Sequence, residues 1–290
     1  LFARIYPVYF LLLTVAVCLQ RDFSLPVLAS NYTLTHALFY RSTLIIQPSW
    51  SLTVEECFYA LAPLFMILAR RAGFAAAFTL AAALLGAALA ISTLDIRLLH
   101  TPAFVLSTTF FGHFAEFFAG VYLALYVTRL ERTGSLAASG RWRTLTGLAG
   151  VSALTLAMLV IYRRPPLDYA AIVLINNFLM PAPIALLYCG LMREDTVLSR
   201  ALSGNPARLL GRSSYSFYLL HMLVIDYLSM PLLAVLPHAR PAVVLGTLIA
   251  AWALAIALFI GYEEPVNLAI RRRLKSKDAP LAVAAVQAAP

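Results

Sequence analysis

The chain has 290 residues, of which 62% are hydrophobic and 12% are charged, and its mean hydropathy is +0.84. A soluble domain normally carries about twice that share of charged residues, so the composition excludes an ordinary soluble fold. The formal net charge is +9, but the basic residues are spread between apolar segments, which argues against a nucleic-acid-binding protein.

Apolar segments recur along the whole chain, and each approaches the length that an α-helix needs to cross a bilayer. They lie near residues 5–19, 53–69, 74–93, 104–128, 145–162, 169–192, 213–236 and 242–262. The sequence therefore predicts an all-α fold, a polytopic transmembrane helix bundle of about eight spans within residues 1–277, with the lipid bilayer as its surroundings. Residues 278–290 are rich in Ala, Val and Pro, and we expect a disordered tail there.

The start of the chain and its first connection carry two expectations. The chain begins with Leu1 and enters an apolar segment within a few residues, so we expect an N-terminal part to precede it. The segment 20–51 is the longest polar connection, and residues 34–40 within it are expected to form a short re-entrant or interfacial helix.

The second span begins with the densest polar cluster of the chain. It contains Trp50, Ser51, Glu55, Glu56 and Tyr59. Carboxylates inside a span are costly and usually face a bundle interior or a polar cavity. Glu55 and Tyr59 are one helical turn apart, so they share a face. For Glu56 two interpretations stay open, a functional role and a capping box formed with Thr53 at the helix N-terminus.

Further polar groups lie in the later spans. His113 and Glu116 are one turn apart in the fourth span, and we interpret them as a pair that packs helices together. In the seventh span Ser214, Tyr218 and His221 fall on one helical face, which predicts a polar stripe and makes His221 a candidate site residue.

The sequence after the eighth span predicts a helix end. Glu263, Glu264 and Pro265 are interpreted as that end. Arginines 271–273 follow, and they fit either a basic stretch at the membrane surface or a run that attracts a polyanionic donor.

The cysteines and the basic residues complete the pattern. Cys18, Cys57 and Cys189 lack the spacing of a disulfide framework or a zinc site, so we expect no metal and interpret them as small buried residues. If the basic residues are assigned to alternate sides of the membrane, six fall on one side, namely Arg21, Arg41, Arg97, Arg163, Arg164 and Arg240. All other lysines and arginines fall on the opposite side, so both termini are predicted to be cytoplasmic.

Four segments resemble the acyltransferase family 3 membrane proteins. Residues 49–59, S-W-S-L-T-V-E-E-C-F-Y, resemble that family's W-S-L-x-x-E-E-x-F-Y motif. Residues 4–9 resemble its R-x-x-P-x-Y start of a third helix, residues 211–221 its G-x-x-S-Y-S-x-Y-L-x-H segment, and residues 264–265 its closing E-x-P-like motif. The landmarks occur in order, so the resemblance extends over roughly residues 1–275 and implies that two preceding helices are absent. The essential His of the family lies in its first helix, and no residue here corresponds to it.

The resemblance implies an O-acyltransferase of the bacterial inner membrane. Its donor would be a cytosolic acyl-CoA, commonly acetyl-CoA, used as a substrate with no bound cofactor. Its acceptor would be a hydroxyl of an extracytoplasmic glycan, such as lipopolysaccharide or exopolysaccharide. Acyl transfer to a hydroxyl needs a base and donors that stabilise an oxyanion.

The motif positions carry the expected site roles. Glu55 and His221 are expected to be catalytic. The base would be the family's first-helix His, which Glu55 would orient or balance in charge, and His221 with Tyr218 would bind the thioester or the acceptor. Residues expected to bind substrate are Arg4, Trp50, Ser51, Glu56, Tyr59, Tyr215 and Tyr218. Two other interpretations stay open, a transporter or flippase for a lipid-linked sugar and a non-catalytic truncated relative.

Overall fold

The computed structural model describes residues 2–21, 23–38, 43–94, 101–135, 140–162 and 168–273. Within these ranges the chain is helical and contains no strand. Among the described residues, seven helices are long and apolar enough to span a membrane, and the shorter helix Ile5–Gln20 is also apolar. The prediction of an all-α, polytopic helix bundle is confirmed. The predicted tail, 278–290, lies outside the described residues.

The helices follow the predicted apolar segments along the chain. They are α1 (Phe2–Gln20), α2 (Leu25–Tyr32), α3 (Trp50–Ala72), α4 (Phe74–Ser92), α5 (Pro102–Thr108), α6 (Phe110–Arg132), α7 (Trp142–Ile161), α8 (Asp168–Leu174), α9 (Pro181–Arg193), α10 (Val197–Leu202), α11 (Asn205–Val224), α12 (Met230–Val235) and α13 (Arg240–Leu258). Residues 264–273 are also helical.

The chain divides into two compact units. Unit 1 consists of Leu1–Tyr32, Leu44–Ser49 and Asn205–Pro290, and unit 2 of Thr33–Thr43 and Trp50–Gly204. Unit 1 thus combines the first helix with α11 to α13, and unit 2 contains α3 to α10. The polar segment that leads into α3 passes from one unit to the other.

Three π-helical turns interrupt the long helices, and each ends two residues before a proline. Ile175–Leu179 precedes Pro181, Ile225–Ser229 precedes Pro231, and Phe259–Glu263 precedes Pro265. Proline lacks an N–H group, and its ring collides with the carbonyl four residues earlier in an α-helix. A π turn adds one residue and moves that carbonyl aside, so the helix continues through each proline.

The predicted helix end at Glu263, Glu264 and Pro265 is therefore wrong. The helix continues to residue 273, and the side chain of Glu263 is buried, with 4% of the residue exposed. Pro265 appeared to stop the helix in the sequence, but the π turn Phe259–Glu263 accommodates it. The arginines at 271–273 consequently belong to the same helix as this buried carboxylate.

The connection between α1 and α3 also differs from the prediction. Its longest helix is α2, whereas residues 36–38 form only a 3₁₀ turn and residues 39 and 40 lie outside the described part. Asn31 at the end of α2 is fully buried, and its carbonyl accepts the Tyr9 hydroxyl at 2.8 Å. Its side-chain Oδ1 accepts the Ile45 N–H at 3.1 Å. These contacts join Asn31 to residues far away in the sequence, and they stabilise the end of α2.

Helices α7 and α9 of unit 2 pack at short range through glycine. A Cβ atom on Gly147 would lie 2.5 Å from the Leu187 backbone nitrogen, and one on Gly190 would lie 2.4 Å from the Thr144 nitrogen. Small residues allow membrane helices to approach this closely. The two helices would have to move apart if either glycine carried a side chain.

Glu194, directly after α9, joins the same two helices. Its carboxylate accepts the Arg143 N–H at 3.1 Å, the Thr144 N–H at 3.0 Å and the Thr144 hydroxyl at 2.8 Å, and so caps the start of α7. Burial alone would raise the pKa of Glu194, but the Thr144 and Arg143 hydrogen bonds and the Arg143 charge outweigh it and lower that pKa.

The cysteines fit the expectation in part. Cys189 is buried in α9, and Cys57 is half-buried in α3. Cys18 is exposed near the end of α1, so the expectation of a buried residue is wrong there. An exposed thiol is compatible with an apolar helix surface, because the sulfur behaves as a small hydrophobic group.

Candidate functional site

The first polar cluster of unit 2 lies where α3 begins. A 3₁₀ turn, Gln47–Ser49, leads directly into the helix at Trp50. Thr53 therefore lies inside the helix, and its hydroxyl donates to the Leu34 carbonyl at 2.7 Å. The capping-box interpretation of Thr53 and Glu56 is wrong, because Thr53 is not the residue that precedes the helix.

The carboxylates of α3 have different surroundings. The Tyr59 hydroxyl donates to Glu55 Oε1 at 2.9 Å, which confirms that the two share a face. Glu55 is half-buried and Tyr59 is exposed, whereas Oε1 of Glu56 is buried and accepts no hydrogen bond from the described residues. Ser51 is half-buried in the first turn. Glu55 is thus a carboxylate that a ligand can reach.

His113 connects the start of α3 with a break between α5 and α6. Its ring lies 5.4 Å from that of Trp50, its Nδ1 is 2.9 Å from Glu116 Oε1, and its Nε2 is 3.1 Å from the Ser107 carbonyl. A carbonyl only accepts, so Nε2 carries a hydrogen. One further proton then lies between Nδ1 and Glu116, either on the imidazolium or on the carboxylic acid.

Asn177 stabilises the same helix break. Its amide donates to the Leu106 carbonyl at 2.8 Å and to the Gly112 carbonyl at 3.3 Å. These carbonyls lie within a predicted membrane span, where a backbone group without a hydrogen bond costs on the order of several kcal/mol. His113 and Asn177 therefore support the packing interpretation of the fourth span.

A cavity of about 350 Å³ in unit 2, called the α6–α9 cavity, lies beside this pair. Glu116 and Asn176 contribute its polar groups, and Gly120, Leu123 and Ile184 are among its apolar lining residues. Apolar cavities with a few polar groups are typical ligand sites.

In unit 1 the polar residues of α11 hold neighbouring backbone segments. The Tyr215 hydroxyl donates to the Ile5 carbonyl of α1, and the Tyr218 hydroxyl donates to the Pro48 carbonyl, both at 2.8 Å. These tyrosines were expected to bind substrate, but each hydroxyl hydrogen is used in a contact with the chain. We infer that both residues position α1 and the turn before α3 against α11.

His221 has a defined tautomer in the neutral state. Its Nδ1 lies 2.7 Å from the Tyr218 carbonyl, which accepts the Nδ1 hydrogen. Its ring stacks on Phe217 at 5.8 Å between centroids, and Phe217 stacks on Trp252 at 4.1 Å. The half-buried imidazole is thus oriented from two directions, and Nε2 is left as the nitrogen with a lone pair.

The polar stripe of α11 runs along a different face from the one predicted. Ser214 is exposed, and its hydroxyl donates to the Gly211 carbonyl of its own helix. Ser216 is fully buried instead, and its hydroxyl donates to Glu263 Oε2 at 2.6 Å. Glu263 was missed because it was taken for a helix end. The available signal was a carboxylate at the end of a long apolar segment, since a carboxylate inside a span needs a donor.

A second cavity, of about 310 Å³, lies between α11 and the end of the last helix in unit 1. Arg212 forms an ion pair with Glu264 at its edge, and Arg271 also lines it. Oδ1 of Asn267, another lining residue, is buried and accepts no hydrogen bond from the described residues. Glu263 also lines the cavity, so its two guanidinium groups are accompanied by two carboxyl groups, and Asn267 adds an acceptor for an N–H or O–H donor.

A family model described as an acyltransferase domain matches residues 2–260. The chain belongs to acyltransferase family 3. No curated protein and no solved structure gives a significant match to it. Because this family match covers most of the chain, the protein is a membrane acyltransferase.

The acyltransferase carries its motif residues in two separate groups. Trp50, Ser51, Glu55, Glu56 and Tyr59 belong to unit 2, and Tyr215, Tyr218 and His221 belong to unit 1. Arg4 lies in α1, but its side chain is outside the described part of the structure. Within the described ranges, no three His, Cys, Asp or Glu side chains are grouped so that they could hold a metal ion. The match ends at residue 260, before Glu263, Asn267 and Arg271.

Proposed function

We propose that this membrane acyltransferase moves an acyl group, acetyl in the simplest case, from a cytosolic acyl-CoA to a hydroxyl of an extracytoplasmic glycan. The observation that carries the proposal is the orientation of His221. Its Nδ1 hydrogen is donated to the Tyr218 carbonyl, so the neutral ring presents Nε2 as a base. A half-buried, oriented imidazole inside a membrane span is suited to proton transfer.

The reaction follows from this arrangement. Nε2 of His221 takes the proton of the acceptor hydroxyl while the oxygen attacks the thioester carbonyl carbon. The carbon–sulfur bond then breaks, and the imidazolium returns the proton to the leaving thiolate. The products are an ester and free CoA thiol, so atoms and charge balance without another reactant. The rings of Phe217 and Trp252 hold the imidazole during both transfers.

The unit 1 cavity supports an anionic donor. Arg271 offers charge to a phosphate group, and Arg212 would do so by exchanging its ion pair with Glu264. Asn267 Oδ1 offers an acceptor to an amide N–H of the donor's arm. Arg212 and His221 are nine residues apart on α11, or about 13 Å along a helix. An extended donor arm bridges such a distance, which would place the thioester near His221 and the phosphates at the basic end.

We assign Glu55 and Tyr59 to the acceptor. The pair is polar and accessible at the entrance of α3, on the side opposite most basic residues, where a glycan would arrive. Glu55 accepts a hydrogen bond from a sugar hydroxyl, and Tyr59 orients the carboxylate. Because Glu55 and His221 belong to different units, each assignment is tested by its own variant.

The test uses membrane vesicles that contain the chain, with radiolabelled acetyl-CoA as donor. We expect alkali-labile label in the glycan fraction. His221→Gln should lower the turnover by about 100-fold or more, since it removes a general base, whereas the KM for acetyl-CoA should change little. The matched control is His238→Gln, because His238 is an exposed histidine of the same unit.

Glu55→Gln is expected to raise the acceptor KM more than it lowers turnover. Glu131→Gln, at an exposed position of α6, is its control. Unchanged ester formation in His221→Gln would exclude His221 as the base. Movement of a lipid-linked sugar across the vesicle membrane without label in the glycan would instead favour a transporter.

A further inference from the structure

The α6–α9 cavity of unit 2 is not used by the acyl transfer described above. Its lining changes along its length, with Glu116 and Asn176 at one end, then Gly120, Leu123 and Ile184, and the ring of Tyr188 at the far end. Both polar residues lie inside helices that are long and apolar enough to span a membrane. The cavity therefore combines a polar end with an apolar groove at membrane depth.

The polar end presents acceptor atoms. Oε1 of Glu116 is used by His113, and Oε2 receives no hydrogen bond from any residue in the described part of the chain. The Asn176 amide donates to Asn177 Oδ1 at 2.9 Å, which leaves Asn176 Oδ1 as an acceptor. A ligand at this end must accordingly bring O–H or N–H donors.

Exposure of these groups in hydrocarbon would be unfavourable. The Glu116 side chain is 40% exposed, and Asn176 is also exposed. Ionisable side chains inside a membrane helix are unfavourable where they face hydrocarbon, and they usually mark functional sites. A bound molecule that donates hydrogen bonds would remove this cost.

The direction of the cavity specifies how such a molecule lies. Arg129 follows Glu116 by 13 residues of α6, or about 20 Å, and Arg193 follows Asn176 by 17 residues, or about 25 Å. With these arginines at one edge of a hydrocarbon core ~30 Å thick, the polar end lies a little beyond the middle of the core, toward the opposite leaflet. Gly120, Leu123 and Ile184 lie toward the arginines, in the direction in which the tail of a lipid from that leaflet points.

We propose that the α6–α9 cavity binds a glycolipid-type amphiphile, with sugar hydroxyls donating to Glu116 and Asn176 and an alkyl tail along Gly120, Leu123 and Ile184. A sugar attached directly to the alkyl tail would place O–H donors beside the acceptor oxygens of Glu116 and Asn176. Phosphatidylcholine fits poorly, because its headgroup has no O–H or N–H donor and its phosphate anion would lie beside the Glu116 carboxyl group. This binding does not depend on His221 or on acyl transfer.

The test uses the full chain in phosphatidylcholine nanodiscs and an alkyl glucoside with a photoreactive diazirine in its tail. We expect crosslinks to α6 and α9 peptides near Leu123 and Ile184. Unlabelled dodecyl maltoside should compete at concentrations at least about tenfold lower than dodecylphosphocholine does, since only the sugar donates hydrogen bonds to a charged group.

Two matched glycine variants test the groove itself. A Cβ on Gly120 meets nothing within 4 Å, so Gly120→Leu fills the cavity without disturbing the helix, and Gly86→Leu makes the same change on α4. We expect Gly120→Leu to reduce crosslinking about tenfold or more and Gly86→Leu to leave it unchanged.

A third variant tests the polar end, and specific results would overturn the proposal. Asn176→Leu keeps the branched shape of the side chain and removes an acceptor, so it should reduce the preference for the maltoside over the phosphocholine. Equal competition by the two amphiphiles against the unmodified chain would show a nonspecific lipid contact. Crosslinking that persists unchanged in Gly120→Leu would place the amphiphile elsewhere.

Discussion

Replacement of Glu194 by alanine tests how unit 2 is held together. The carboxylate accepts three hydrogen bonds from Arg143 and Thr144, and Glu194→Ala would leave the buried Thr144 N–H without a partner. Hydrogen bonds to charged groups contribute about 1.5–3 kcal/mol each, and water that enters the space replaces part of them. We therefore expect the free energy needed to separate α7 from α9 to fall by about 3 kcal/mol.

Cys189 reports this opening, because it is buried in α9 next to Gly190. With Cys18 and Cys57 replaced by serine, the alkylation rate of Cys189 follows the fraction of molecules in which α9 has opened. A change of about 3 kcal/mol corresponds to an increase of about 100-fold in that rate. Asp195→Ala is the control, because the Asp195 side chain is 77% exposed and its pair with Arg200 is worth little.

The pH dependence gives a second measurement on the same residue. The pKa of Glu194 is lowered in the folded protein from an ordinary value of 4.5. The ionised carboxylate therefore stabilises the folded protein fully above about pH 4.5, and this stabilisation is lost as pH falls through the lower pKa of the folded state. Alkylation proceeds through the thiolate, so the Cys189 rate is divided by the rate of the unfolded chain at the same pH to give the accessible fraction. This fraction should increase with acid in the unmodified chain, and Glu194→Gln should remove the increase. Equal alkylation rates for Glu194→Ala and Asp195→Ala would refute the capping role.

The remaining predictions use matched pairs of variants. Gly147→Ala should separate α7 from α9 and raise the Cys189 alkylation rate about tenfold, since overpacking costs about 1–3 kcal/mol. Gly86→Ala should leave the rate unchanged, because the space around Gly86 is open. Equal rates for the two variants would contradict the close packing. Ser216→Ala should lower the midpoint of thermal unfolding, because it leaves the buried Glu263 carboxylate without its 2.6 Å donor. Ser214→Ala should leave the midpoint unchanged, and a similar loss in both would contradict the assignment of the buried face.

Composition and apolar length were sufficient to predict the helices, because the bilayer leaves few alternatives for backbone hydrogen bonds. Neighbouring residues within a turn were also predictable, as the Glu55–Tyr59 and His113–Glu116 contacts show. In both cases the interacting side chains are separated by three or four positions, a spacing that helical geometry brings together.

Contacts over long sequence separations were not predictable from spacing. Glu194 meets Thr144 across 50 residues, and Ser216 meets Glu263 across 47. Pro265 misled the prediction in a specific way, since a proline often ends an α-helix, whereas here the π turn before it lets the helix continue. The choice of Ser214 over Ser216 as the buried serine failed because the helical face that packs inward depends on the neighbouring helix.

The most direct test of the account measures CoA thiol release and ester formation in the same vesicle reaction with acetyl-CoA. Acyl transfer with His221 as base predicts that each thiol released is matched by one acetyl ester on the glycan, and that both rates fall together in His221→Gln. Thiol release without glycan ester, or ester formation that is independent of the chain, would contradict the assignment of this protein as a glycan O-acyltransferase.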